Sequence, residues 1–212
     1  MSVDAAQGRR RLEPDVRRGQ ILACAVRLFG ERPYAEVSTT DIARSAGVAR
    51  GLINHYFGTK KDLFLAATAL PVDPSLIVQG LLAGGTDGLG HRLVGALVGV
   101  WDSPTGTPLL AAVRGAFADD ARTDALRQFL VTEVLGKVGA TLDVPRPEAD
   151  LRVSLAASQL VGLITARYLL RIPPLAEATA AVVVAAIGPT IQHYLTGDLG
   201  IVSERPPPPP ER

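Results

Sequence analysis

The stretch Thr39 to Phe57, TTDIARSAGVARGLINHYF, constrains this chain more than any other. It reads as two short helices joined by a tight turn. Ile42 and Ala43 put an apolar and a small residue one turn before Ala46. Gly47 follows where the chain must bend sharply, and glycine takes a positive φ there without steric cost. Val48 plugs the corner. Ile53 and Tyr56, three apart on the second helix, are expected to pack back onto the first. Arg50, Gly51, Asn54 and His55 are left on the outward face. Ser38 is the expected N-cap of the first helix. Thr59 is the expected N-cap of a further helix starting at Lys60, with Asp62 at the reciprocal capping position. The pattern is a helix-turn-helix.

A small–Gly–apolar corner also suits an ordinary αα-hairpin, so the flanks matter. Before it, Ile21, Leu22, Ala25, Leu28 and Phe29 form the stripe of an amphipathic helix over residues 15 to about 31, with Gly30 and Pro33 expected to stop it. After it comes HYFGTKKDLF. The continuous run ILACAVRLFGERPYAEVSTTDIARSAGVARGLINHYFGTKKDLF, within Arg17 to Phe64, resembles the DNA-binding domain of the TetR (tetracycline-repressor) family of bacterial transcription regulators. The resemblance implies an all-α fold. It has an N-terminal three-helix helix-turn-helix domain and a C-terminal helical ligand-binding and dimerisation domain. It also implies a homodimer on a palindromic operator, released by a small effector.

Each outward residue then has an expected role. Thr39 and Thr40 open the first helix of the motif, where hydroxyls and free N–H groups hold phosphate. Arg50 opens the recognition helix and reaches a guanine edge or a phosphate, and Gly51 lets the backbone come close. Asn54 suits a bidentate pair with adenine, at a position that is often Tyr in the family. His55 and Tyr56 are expected to contact phosphate or base, with a core position the alternative for Tyr56. Lys60 is the expected phosphate clamp, while Arg44 reads equally as a plain surface charge.

Charge agrees with this division. Residues 1–62 carry eleven Lys and Arg against seven Asp and Glu, whereas the remainder carries eleven against fourteen. A basic first part on a mildly acidic bulk is expected if only the first part meets phosphate. The one cysteine, Cys24, excludes an intrachain disulfide and reads as a small buried residue. MSVDAAQGRRR has no apolar run behind its charges, and Leu155–Leu170 is apolar but too short and too interrupted to span a bilayer. The expectation is a cytoplasmic protein with no membrane association.

Four parts are expected: a mobile basic arm over 1–14 containing Arg9, Arg10 and Arg11, a DNA-binding domain over 15–70, a helical effector-binding and dimerisation domain over 71–200, and a disordered tail over 201–212 with Pro206 to Pro210. Pro71 and Pro74 are expected to end the fourth helix, earlier than the resemblance suggests for the helix that connects the two domains. Further helices are expected near 75–83, 88–101, 107–118, 121–140, 148–170 and 175–195, with Gly136, Gly139 and Gly162 marking close helix approach. The last two are apolar nearly all round and must be covered on more than one side, so they are the expected dimer contact. By resemblance, the helices from about 75 to 140 enclose an effector pocket. His91, Trp101, Arg114 and Gln159 are the weak candidates for its polar groups, and the apolar lining favours a hydrophobic ligand.

Two other functions stay open on sequence grounds. A non-specific architectural DNA-binding protein would spread basic charge over its surface. An all-α enzyme using the C-terminal cavity would need a nucleophile, an acid–base pair or a metal cluster. His55, His91 and His193 are far apart, and no HExxH, GxSxG, CxxC or P-loop pattern is present, so no catalytic residue, metal or cofactor is expected.

Overall fold

The fold is taken from a computed structural model that describes residues 14–200 except residue 119. The arm expected around Arg9 to Arg11 and the proline run of the tail lie outside the described residues. Among the described residues all regular structure is helical, as the sequence leads one to expect. The chain forms two compact units, each assembled from separate stretches.

The first unit comprises the chain up to Pro74 together with Ser103–Glu133. It opens with α1 (Pro14–Glu31), a 3-10 turn (Tyr34–Glu36), α2 (Thr39–Ser45), α3 (Arg50–Phe57) and α4 (Lys60–Ala67). It is completed by α7 (Gly106–Phe117) and α8 (Asp120–Phe129), which runs on as a π-helix over Leu130–Leu135. The core is an apolar centre of Ile21, Ala25, Val37, Ile42, Ile53 and Leu63 beside an aromatic group. In that group Phe64 stacks on Phe129 at 4.5 Å, and the edge of Tyr34 meets Phe64 at 5.1 Å and Phe129 at 5.5 Å. Such pairs contribute about 0.5–1.5 kcal/mol each beyond the area they bury. This unit takes in more of the chain than the sequence-based boundary at residue 70 encloses.

Gly30 does not stop α1, which continues to Glu31. A Cβ there would collide with the backbone and Cβ of Ala121, so the glycine allows α8 to lie against α1. The end of α4 also differs from expectation. It stops at Ala67, before either proline, through a Schellman motif in which Leu70 N–H donates to Leu65 O (2.9 Å) and Ala69 N–H to Ala66 O (3.2 Å).

The second unit is made of α5 (Pro74–Leu82), α6 (Leu89–Trp101), α9 (Gly136–Gly139), α10 (Arg146–Ile164) with its π-helical extension Thr165–Leu169, and α11 (Ala180–Thr196). Leu89, Val94, Val98, Val153, Ala156, Val183, Ile191 and Leu195 form its centre. Here α6 and α11 touch backbone to backbone. A Cβ on Gly90 would overlap Gly188 O and Gln192 N, and one on Gly188 would overlap His91. The Gly90 N–H donates to Gln192 Oε1 at 2.9 Å across this contact. Gly162, by contrast, has nothing within 4 Å of its Cβ position, so it marks no close approach within the chain. Gly139 lies at ordinary van der Waals distance from Ala149 and Val153. The last helix starts at Ala180 and not near 175, because Thr179 caps it by accepting from Val182 N–H at 3.4 Å. Buried Arg152 pairs with Glu148 and donates to Tyr194 O (3.1 Å) and Gly197 O (2.8 Å), which ties α10 to the end of α11.

Candidate nucleic-acid interface

The corner between α2 and α3 is built from local chemistry. Gly47 has φ 64° at the position after the helix C-cap. Val48 N–H donates to Ala43 O at 3.0 Å and Gly47 N–H to Arg44 O at 3.2 Å, which closes a Schellman motif and satisfies the last carbonyls of α2. At the other end of α2, Ser38 Oγ accepts from Asp41 N–H (3.1 Å), while Asp41 Oδ2 accepts from Ser38 N–H (3.1 Å) and from the hydroxyl (2.6 Å). Thr59 and Asp62 repeat the arrangement at the start of α4, with distances of 3.1, 3.0 and 2.6 Å. These bonds stabilise the charged carboxylates, so both Asp41 and Asp62 are held below the usual aspartate range, chiefly by the hydroxyl of Ser38 and of Thr59 respectively. The two boxes fix the entry angles of the helices that flank the recognition helix.

On α3 itself, Ile53 and Phe57 are the buried pair, four residues apart. Sequence reasoning assigned the second inward position to Tyr56, which is only half-buried at the edge of the core, its ring 5.2 Å from that of His55. The reason is angular: at about 100° per residue, position 57 lies nearer the face of Ile53 than position 56 does. Arg50, Gly51, Asn54 and His55 are all exposed together, as the face of a recognition helix requires. Gly58 ends the helix at φ 79° with its N–H on Asn54 O at 3.0 Å.

Around that face, Thr40 is exposed and Thr39 half-buried at the start of α2. Arg44 is exposed and reaches Asp41 at 3.4 Å. Lys60 is half-buried, its ammonium 4.2 Å from the centre of the Tyr34 ring and 3.5 Å from Ala35 O, and burial lowers its pKa. Sequence reasoning did not single out Arg18, whose guanidinium lies 4.9 Å over the Phe57 ring, nor Arg27, which donates to Ser45 Oγ at 2.7 Å. Arg18 falls on the stripe of Ile21, Ala25 and Phe29 one turn earlier, and that spacing was the available signal. Both bring cations from α1 to the flank of the motif.

The four residues named for an effector are divided between the two units. Arg114 is exposed and belongs to the first unit, whereas His91, Trp101 and Gln159 belong to the second. His91 and Gln159 are exposed. Trp101 is buried, stacked on Tyr168 at 5.0 Å, and the Tyr168 hydroxyl donates to Asp102 at 2.9 Å. Burial pushes the Tyr168 phenol up to about 12. Among the described residues no cluster of three or more His, Cys, Asp or Glu is placed to hold a metal ion, and no helix is long and apolar enough to cross a membrane. Cys24 is half-buried against the core of the first unit.

Comparison with known proteins gives the same picture. Residues 21–67 match the family described as bacterial regulatory proteins, tetR family, and residues 87–195 match the tetracyclin repressor-like C-terminal domain. The HTH-type transcriptional regulator BetI of Rhizobium meliloti is 30% identical over 179 residues, covering 80% of this chain and 86% of that protein. Its counterpart in Brucella anthropi is 42% identical over 55 residues, or 26% of this chain and 28% of that protein. A crystal structure of a TetR-family regulator from Streptomyces coelicolor is 31% identical, with a TM-score of 0.44 over 87% of this chain and 98% of that one. With both halves of the chain matched and the α2–α3 corner built as described, the protein belongs to the TetR family and is a DNA-binding transcriptional regulator.

Proposed function

We propose that the protein is a homodimeric repressor that reads a palindromic operator through Arg50, Gly51, Asn54 and His55, with Thr39, Thr40, Tyr56 and Lys60 contacting the flanking backbone. The observation that carries this reading is the joint exposure of those four α3 residues on a helix cornered by Gly47 and capped at both flanks. Residues 15–70 do the binding, and α10 and α11 join two copies. Exposed apolar side chains on these helices or just after them support the pairing: Leu151 (44%), Val161 (52%), Leu170 (65%) and Val182 (58%). A two-fold dimer sets its recognition helices into successive major grooves, roughly 34–36 Å apart.

In this reading the second unit binds a small hydrophobic effector, with buried Trp101 the strongest of the four named contacts. The effector favours a dimer whose recognition helices no longer match the groove spacing. The protein acts in the cytoplasm and is not an enzyme.

The test is binding to the DNA upstream of its own gene at fixed salt against random-sequence competitor. Binding that survives competitor is expected, and Arg50→Ala and Asn54→Ala should each weaken it about tenfold or more, from the roughly 1–3 kcal/mol of a bidentate base contact. Loss of binding to random competitor, with both variants unchanged, would instead support an architectural role.

A further inference from the structure

Lys60 is a cation the fold has already engaged. Its ammonium lies 4.2 Å from the centre of the Tyr34 ring, and it donates to Ala35 O at 3.5 Å. Tyr34 is in turn held by the first unit's own helices, edge-on to Phe64 of α4 and to Phe129 of α8. One turn after Phe129, on the same continuous helical run, stands Glu133. Four residues along this π-helical stretch come close to one full turn, so Glu133 returns to roughly the side of the run that carries Phe129. Its charge raises the pKa of both Tyr34, which burial foremost pushes to about 12, and Lys60, partly offsetting the lowering by burial. A lysine on an aromatic face and in the field of a carboxylate is attracted, yet Lys60 is only half-buried and its stem is flexible. It can therefore be drawn out by a stronger anion.

We propose that Lys60 is held in reserve: in free protein it rests on Tyr34 under the influence of Glu133, and DNA draws it out onto a phosphate, so that Glu133 competes with DNA for it. The proposal rests on the reading of Lys60 as a phosphate contact and adds what opposes that contact. It makes Glu133, which touches no DNA, a negative regulator of affinity. Any displacement of the Phe129–Glu133 segment then changes how readily the clamp is released.

The test is a double-mutant cycle. Wild type, Glu133→Gln, Lys60→Met and the double variant are titrated by fluorescence anisotropy against a labelled duplex enriched by the wild-type protein from a random-sequence pool. Each titration is repeated over a series of salt concentrations, and circular dichroism checks that each variant is folded. Lys60→Met is expected to weaken binding and to lower the slope of log K against log salt by about one, the loss of one phosphate contact. Glu133→Gln should tighten binding about three- to fivefold when Lys60 is present, and by less than about 1.5-fold in the Lys60→Met background. Equal tightening in both backgrounds would show a diffuse field and overturn the proposal, as would no tightening at all. If Lys60→Met leaves affinity and slope unchanged, the phosphate contact itself fails, and that outcome is distinguishable from the others.

Discussion

Ala69 sits at φ 55°, in the left-handed region, as the residue that turns the chain at the end of α4. The same task at the end of α2 falls to Gly47 at φ 64°. An L-residue with a Cβ is crowded there by about 1–2 kcal/mol, less what glycine loses in the unfolded chain. Ala69→Gly is therefore expected to stabilise the protein by about 0.5–1 kcal/mol, read as a raised Tm. The capping boxes act at this scale too. Asp41 and Asp62 have lowered pKa values in the folded protein, first because of the Ser38 and Thr59 hydroxyls, whereas in the unfolded chain they titrate in the ordinary range. The folded state then binds fewer protons as the pH drops through that range. The contribution is complete above the ordinary aspartate pKa and is lost as the pH falls through the lowered folded values. Denaturant midpoints measured from neutral to acidic pH should show this loss, and Asp62→Asn should flatten its share. At neutral pH Thr59→Ala should cost about 1 kcal/mol through the lost cap. Ser38, Gly47 and Thr59 were all legible in the sequence, since a cap or a left-handed turn depends on three to six consecutive residues. The strain at Ala69 was not, because alanine carries no signal for positive φ.

At the scale of elements, glycines separate into those that touch another helix and those that do not. Gly90 faces the backbone of Gly188 and Gln192, which cannot swing aside as a flexible side chain would. Gly90→Ala should therefore destabilise the second unit by about 1–3 kcal/mol, the range for overpacking. Gly99, on the same helix with nothing within 4 Å, should gain up to about 1 kcal/mol on Gly99→Ala from helix propensity. Thermal denaturation of the two variants side by side checks both signs. Helix positions were legible from periodicity: expected helices near 88–101 and 107–118 stand as Leu89–Trp101 and Gly106–Phe117. The role of the glycines was not legible. Gly30 read as a stop and is a contact with Ala121, while Gly162 read as a contact and has open space around it. A missing Cβ looks the same in sequence whether it serves a bend or an approach, and only the neighbour tells them apart.

For the whole molecule, the proposed pairing through α10 and α11 has a direct consequence. Charges at Val161 and Val182, both exposed in the single chain, would be buried unpaired in a dimer and should abolish it. Val161→Glu with Val182→Glu is expected to sediment as a folded monomer and to bind operator DNA far more weakly, since one half-site replaces two. A dimer that persists in this variant would place the contact elsewhere. The amino-acid sequence by itself determined the all-α character, the α2–α3 corner and the outward residues Arg50, Gly51, Asn54 and His55. Helical period, capping and a positive φ are local properties, set by sterics and hydrogen bonds within a turn or two. Only the tertiary structure decided that Phe129 stacks on Phe64 and that Tyr34 carries Lys60 on its ring. Those contacts join residues far apart in the chain, and their selection rests on shape and volume in three dimensions, which no linear spacing encodes.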